Sequence, residues 1–233
     1  MNKSPVFFIG YDSKEDIAYR VCKQSLLSNS TIDIKALALK QYELRSRGLY
    51  KRNADPLAST EFTYTRFLVP ALVNYSGWAV FCDCDLLFLK DVKFLFENLS
   101  DDKAVYCVKH DYSPSEKHKM DGKKQTIYPR KNWSSFIIFN CSHKSNKKLT
   151  VKLVNEESGS FLHQFKWLHD DEIGGLDERW NWLEGWTSKH NKDKPYAIHY
   201  TRGGPWFSEW QDVEYADIWI KERDKYLNKK FNF

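Results

Sequence analysis

Apolar residues in this chain gather in short runs separated by charged turns, and the spacing inside each run distinguishes strand from helix. Residues 6–10, VFFIG, form a continuous apolar run ended by glycine, which predicts a buried strand. The next stretch, DSKEDIAYRVCKQSLLSNS, places Ile17 and Val21, and Ala18, Cys22 and Leu26, at helical spacing, with Ser13 as the expected N-cap and acids in the first turn. IDIKALAL (32–39) predicts a second strand, and Ser59 or Thr60 is placed to cap a helix running from Glu61 to about Asn74. WAVFCD predicts a third strand, VKFLFENL a short helix, and AVYCVK (104–109) and SSFIIFN (134–140) two further strands. Beyond residue 150 the pattern changes to Trp-rich segments with polar breaks, then a short strand YAIHY (196–200) and a C-terminal helix within VEYADIWIKERDKYLNKK. Strands alternating with helices predict an α/β layer fold, with no internal repeat, low-complexity tract or linker.

Composition narrows the class. With 42% hydrophobic and 29% charged residues over 233 positions, the chain is globular and long enough for one domain with a substantial core. Every apolar run is broken by charge before it reaches membrane-spanning length. The start, MNKSPVFFIG, has an apolar patch too short for a signal peptide and no small-residue cleavage site. Five cysteines (Cys22, Cys82, Cys84, Cys107 and Cys141) leave one unpaired and form no CxxC spacing, which reads as buried reduced thiols in an intracellular, cytoplasmic protein. The net charge of +5 is modest, but positive charge gathers in KHDYSPSEKHKMDGKKQTIYPRK (109–131), either to attract a phosphate-bearing ligand or as a solvated loop. The phosphate-cradling patterns GxGxxG and GxxxxGK[ST] are both absent.

The candidate chemistry lies in VFCDCDLLFLKDV, where two aspartates interrupt an apolar run. Residues two apart in a strand share a face, so Asp83 and Asp85 project together near a strand's carboxyl end, where open α/β sheets bind ligands. Two carboxylates held that close repel unless a cation or proton lies between them, and hard divalent ions such as Mg²⁺ or Mn²⁺ suit oxygen ligands and bridge to phosphates. The plainer alternative is that each aspartate caps a turn or pairs with a basic side chain.

The flanks favour the metal. FCDCDLLFLKDVKFLFE resembles the strand, DxD and following helix of glycosyltransferase family 8, which includes glycogenin-like and galactosyltransferase-like enzymes. FTYTRFLVPAL is similar to that family's Tyr-x-Arg-Leu helix, matching Tyr64 and Arg66. FFIGYDSKEDIAY resembles its first strand and base-holding turn, NWSSFIIFN its Asn-led strand, HDDEIGGLDERWNWLEG its acidic Asp-Gln-Asp region with the following Asn, and HYTRGGPW its terminal His…Pro-Trp motif. The matches keep their order over residues 6 to 206.

This resemblance implies a GT-A, Rossmann-like nucleotide-diphospho-sugar transferase fold, α/β with a mixed central sheet flanked by helices. It implies one domain over residues 1–233, with 206–233 as a C-terminal helical extension. It further implies a metal-dependent glycosyltransferase, hexosyl or pentosyl, that moves a sugar from a nucleoside-diphosphate sugar, UDP-linked, to a glycan or other hydroxyl acceptor with retention. The cofactor implied is Mn²⁺ or Mg²⁺, held by Asp83, Asp85 and His199. Carried over residue by residue, the nucleotide and donor sugar fall to Gly10, Tyr11, Asp12, Arg66, Asp83, Cys84, Asn132, Arg202, Gly203 and Gly204. The reacting carbon falls to Asp170 and Asp171. Two departures stand out. Gly204 occupies the place of a diphosphate-binding Lys, for which Arg202 is the proposed substitute, and Asp171 occupies the place of the central Gln.

Each assignment has a plainer competitor. Tyr11 and Asp12 also fit an ordinary turn before a helix, Gly203 and Gly204 a plain turn, and Asp170, Asp171 and Glu172 a solvated helix start. Arg66 within an apolar helix braces Asp83 or contacts the donor sugar, with a purely structural ion pair as the competitor, while His163, His169 and His190 are read as non-ligands. The basic aromatic C-terminal helix (Trp219, Lys221, Arg223, Lys225, Tyr226) is read as packed, with peripheral membrane contact as the competing use. No nucleic-acid partner is expected. Two other function classes stay open: a phosphodiesterase or nuclease, which needs carboxylates for a second metal, and a non-catalytic carbohydrate-binding module, which gives the DxD no purpose.

Overall fold

The computed structural model describes residues 4–56, 58–111 and 129–231; most of the basic stretch singled out above (112–128) lies outside them. Nine strands are present among the described residues: β1 Val6–Gly10, β2 Lys35–Leu39, β3 Trp78–Cys82, β4 Leu86–Phe88, β5 Val105–Cys107, β6 Phe136–Asn140, β7 Ile173–Gly175, β8 Trp182–Leu183 and β9 Ala197–His199. Six form a mixed sheet in the order β2-β1-β3-β6-β5-β7, and β4-β9-β8 form a smaller one. β1 pairs parallel with β2 and β3, β6 runs antiparallel between β3 and β5, and β7 lies parallel to β5. The carboxyl ends of β1, β3, β5 and β7 therefore share one edge with the start of β6. This is the expected α/β architecture, with Phe7, Ile9, Val80, Phe81, Ile137 and Phe139 buried at its centre.

The helices differ more from expectation than the strands do. Asp12, not Ser13, caps the first turn, accepting from the Lys14 N–H at 3.0 Å. Helix α1 then runs Asp16–Ser28 and buries Ala18, Tyr19, Val21, Cys22, Ser25 and Leu26. The helix expected over 61–74 is instead a 3₁₀ turn, Thr65–Leu68, followed by α3, Val69–Leu72, after the short α2, Gln41–Ser46. Pro70 lacks an N–H and fits only at the start of a helix, so it opens a new turn here. Two left-handed residues, Asn74 (φ 53°) and Tyr75 (φ 52°), then end that turn. Helices α4 (Val151–Glu156) and α5 (Gly159–His163) are capped by Thr150 and Ser158. The C-terminal helix α6, Ala216–Phe231, packs on the rest of the fold through Trp219, which joins Val21, Leu87, Ile198 and Tyr200 in a second apolar cluster. Arg20 of α1 donates to the Tyr226 hydroxyl at 3.0 Å, tying the same pair of helices. All five cysteines are buried free thiols. Among the described residues no helix is long and apolar enough to cross a membrane.

Gly10 ends β1 for a packing reason. A Cβ there would meet the Phe62 ring at 2.5 Å, so the ring closes over the strand end only because a side chain is missing. Gly10→Ala is expected to cost about 1–3 kcal/mol by overpacking, and Phe62→Leu in the same chain should recover part of that loss. Urea denaturation of the two single variants and the double variant measures the coupling, and additive losses would refute the packing account.

Candidate active site

Asp83 and Asp85 stand between two sheets. β3 ends at Cys82, and the Asp83 N–H continues its pairing by donating to the Ser135 carbonyl at 2.9 Å. Two residues later the chain enters β4, whose Leu86 pairs with His199 of β9, and the Tyr200 N–H donates to the Asp85 carbonyl at 3.1 Å. Backbone pairing alone therefore delivers the imidazole to the carboxylates. His199 Nε2 lies 3.2 Å from Asp85 Oδ1 and 3.9 Å from Asp83 Oδ2. One ligand atom from each of the three residues falls within 4.8 Å of the other two. Alternation along the chain sends Cys82 and Cys84 the other way, into the core, so Cys84 offers this edge backbone only.

Arg66 holds Asp83 in place. The arginine residue is 5% exposed; Nη1 lies 2.8 Å from Asp83 Oδ1 and donates to the Ser134 carbonyl at 2.7 Å, while Nε donates to the Phe62 carbonyl. The group also lies 4.7 Å from the Phe81 ring centroid. A buried pair with this many partners resists movement, so Arg66 fixes Asp83, a contact common to the bracing role and to the purely structural ion pair.

The state of His199 follows from its other nitrogen. Nδ1 lies 2.8 Å from Asn181 Oδ1, and the Asn181 amide is oriented by donating to Ser135 Oγ and, at 3.5 Å, to the Asn132 carbonyl. An amide oxygen only accepts, so Nδ1 carries the hydrogen and the Nε2 lone pair of the neutral ring faces two carboxylates. That arrangement is repulsive until Nε2 gains a proton or a cation enters. Burial opposes the proton, but Asp85 and Asp83 outweigh it and hold the His199 pKa above its usual value. Fixing of one ring nitrogen by a neighbour is also how metal-bound histidines are oriented. The donor set, two carboxylates and one imidazole, suits a hard or borderline divalent ion.

Glu15, read in sequence only as a helix-start acid, adds to the negative field. Burial, then Asp85, Asp12 and Asp83, push its pKa up to about 8, with the Trp206 side chain opposing the shift.

The remaining expected residues divide. Tyr11 and Asp12 follow β1 on the same edge, and both are engaged. Tyr11 donates to Asp16 at 3.0 Å and packs edge-on against Tyr19, and Asp12 accepts from the Lys14 and Glu61 N–H groups. Asn132, in left-handed backbone (φ 65°), keeps its side-chain amide nitrogen buried with no hydrogen-bond partner among the described residues. Gly203 is a turn glycine (φ 126°), and a Cβ on Gly204 would lie 1.9 Å from the Trp206 ring. Arg202 forms a two-pronged pair with buried Glu184 at 2.8 and 2.9 Å and stacks near Trp210. Its diphosphate assignment therefore meets a guanidinium already committed to a carboxylate.

Asp170 and Asp171 are not brought to the pair. They precede β7, whose Ile173 matches Val105 at the amino end of β5, so the three-residue strand separates them from the DxD edge. Asp170 is exposed and bound by Arg130 at 2.5 Å, and Asp171 lies in the field of Lys103. His163 is bonded to Ser134 Oγ, His190 to Glu178, and His169 sits at a helix cap.

No protein-family model matches the chain. Protein CDI of Arabidopsis thaliana is 50% identical to it over 228 residues, covering 96% of this chain and 88% of that protein. Among solved structures, the WbbM bifunctional glycosyltransferase aligns over 96% of the chain with a TM-score of 0.68 and 16% identity; the chain spans half of that structure's length. The galactosyltransferase LgtC, solved with donor and acceptor sugar analogues, aligns over 94% of this chain and 95% of its own, with a TM-score of 0.58 and 11% identity. The fold is therefore that of the GT-A glycosyltransferases.

The raised groups set a pH dependence. A folded-state pKa above the unfolded value gives stability that is full below the unfolded value and lost as pH rises through the folded one. For Glu15 that window runs from 4.5 to about 8, and for His199 it opens at 6.5. His110, pushed down to about 3, is neutral in the folded state throughout this range, and its unfolded form, half-protonated at 6.5, adds only a small opposing rise just above that pH. In EDTA, stability is expected to fall between pH 6.5 and 8, and Glu15→Gln should remove about 1–2 kcal/mol of the fall. Denaturant midpoints across that range decide, and an unchanged slope in the variant would remove Glu15 from the field of the site.

Proposed function

The chain belongs to the family of the Arabidopsis thaliana Protein CDI and has the glycosyltransferase GT-A fold, and from that premise we propose that it is a metal-dependent glycosyltransferase. It takes a nucleoside-diphosphate sugar, UDP-linked, and transfers the sugar to a hydroxyl acceptor such as a glycan. The observation that carries the reading is the convergence of Asp83, Asp85 and the Nε2 lone pair of His199, an arrangement that needs a positive charge at its centre. Expelling a diphosphate develops negative charge on its oxygen, and a divalent ion, Mn²⁺ or Mg²⁺, supplies Lewis-acid stabilisation there when bound.

The chain's own residues do the rest. Asp83, Asp85 and His199 are the proposed ligands, Arg66 fixes the first of them, and Asn181 fixes the tautomer of the third. Tyr11 and the backbone around Gly10 and Asp12 are the proposed contacts of the base, and the Asn132 amide is the proposed contact of the sugar. Arg202, already paired with Glu184, is assigned to positioning the turn that carries Gly203 and Gly204. A two-metal phosphodiesterase requires a second carboxylate set, whereas one group of ligands converges among the described residues.

Asp85→Asn should abolish the Mn²⁺-dependent gain in melting temperature given by UDP. At a ligand concentration a hundredfold above Kd that gain is about 2.7 kcal/mol, or roughly 5–10 °C for a domain of this size. Unchanged Mn²⁺-dependent stabilisation in the variant would overturn the metal assignment. Retention is the second expectation, resting on the family 8 resemblance of the DxD and His…Pro-Trp segments. With Asp170 and Asp171 behind β7, it proceeds by same-face attack assisted by the departing phosphate. Early-time proton NMR of the anomeric coupling checks it: an α-linked donor should give an α-linked product, and a β-linked one would establish inversion.

A further inference from the structure

One buried imidazole is used by nothing described so far. His110 follows β5 on the same sheet edge as Asp83, and it is only 7% exposed. Neither ring nitrogen has a hydrogen-bond partner among the described residues. The Trp133 indole N–H donates to the His110 carbonyl at 3.0 Å, and the side chain of the preceding Lys109 donates through Nζ to the Ile173 carbonyl at 2.7 Å. Burial pushes its pKa down to about 3, with the His199 and His190 imidazoles adding to the effect. At neutral pH the ring therefore offers one N–H and one lone pair, both unsatisfied. Asn132, next to Trp133, offers a second buried donor without a partner. A buried polar atom left without a partner is destabilising, and two such residues joined through Trp133 beside a ligand site mark where a polar ligand completes the protein.

The order of strands along the edge says which part of the ligand this is. If the base lies at the end of β1 and the diphosphate at the end of β3, a linear nucleotide sugar carries its sugar onward to the starts and ends of β6 and β5. Asn132 enters β6 and His110 leaves β5. We infer that His110 is a specificity-determining residue that reads a hydroxyl of the transferred sugar, donating with one ring nitrogen and accepting with the other. The inference rests on the donor reading proposed above. It predicts strong discrimination by sugar hydroxyl pattern, because a buried polar group built to bond a hydroxyl is left unpaired by a ligand lacking it.

The test compares wild type, His110→Leu and His110→Gln by calorimetric titration in Mn²⁺ with UDP, UDP-glucose, UDP-galactose and UDP-xylose. UDP affinity should stay within about twofold in both variants, since His110 does not touch the nucleotide. Affinity for the preferred UDP-sugar should fall about tenfold or more in His110→Leu, the size of one lost hydrogen bond, and less in His110→Gln. In EDTA, His110→Leu should melt at or above the wild-type temperature, because an apolar side chain leaves no orphan nitrogens. An unchanged ratio of UDP-sugar to UDP affinity, a wild type that takes UDP but none of the three sugars, or a His110→Leu variant that fails to fold would each overturn the inference while leaving the donor reading intact. A wild type that binds no UDP ligand at all in Mn²⁺ would overturn both.

Discussion

The pairing of Leu86 with His199 across β4 and β9 is the contact on which the site depends. The larger sheet presents Asp83 at the end of β3, but a strand end alone cannot bring a third ligand to it. The small sheet does so by reversing the chain: β4 starts immediately after Asp85, and β9 returns antiparallel to it, ending in the imidazole. Because strand register is discrete, a slip of one residue would turn His199 to the opposite face. The second cluster, with Trp219, Tyr200, Ile198 and Leu87, packs beneath this small sheet and holds its register. The C-terminal helix thereby contributes to the ligand geometry from a distance, through Trp219, without touching any ligand atom.

Electrostatics points the same way as geometry. Asp83, Asp85, Asp12 and Glu15 gather four carboxyl groups near one edge, against the guanidinium of Arg66 and a buried histidine whose Nε2 lone pair is itself a negative end. A fold assembled only for stability would separate these groups. The raised pKa values of Glu15 and His199 relieve the same repulsion by binding protons, which would make protons and a divalent cation competitors for one site.

How much of this was legible in the sequence depended on whether the signal was local. VFFIG and WAVFC were readable because a fully buried strand is a continuous apolar run, and the DxD was readable because charges in such a run are costly. Arg66 was legible for the same reason. The turn after Cys82 was not, since LLF looks like more of the same strand; only the pairing with β9 shows that the chain has changed sheets. The helix over 61–74 failed because Pro70 fits the apolar spacing yet forces a restart. Asp12 displaced Ser13 as cap because its second oxygen also serves the Glu61 N–H, a tie across 49 positions that no local pattern contains. Glu15 and Asn181, which surround the carboxylates and His199, and the buried His110 were missed for a similar reason. Each acts through neighbours remote in sequence, and His110 stands out only when buried atoms are matched with partners.

Trp206 accounts for the departure at the terminal motif. Its ring lies where any Cβ on Gly204 would be, and it also packs against Tyr200 and Trp219. A lysine at 204, as in the family the motif resembles, would have to displace the residue that joins the motif to the C-terminal helix. Glycine is therefore required by packing, and the cation that a lysine would supply cannot come from this position. Nor is Arg202 a ready replacement, because truncating or redirecting it would strand the buried carboxylate of Glu184, which is 2% exposed and carries the Glu214 N–H as well. Arg66 is equally committed to Asp83. With Arg66 and Arg202 both engaged by carboxylates, the proposed donor reading would leave charge neutralisation of a diphosphate chiefly to the ion that the three ligands would hold, so affinity for the diphosphate and affinity for the metal would become one coupled quantity.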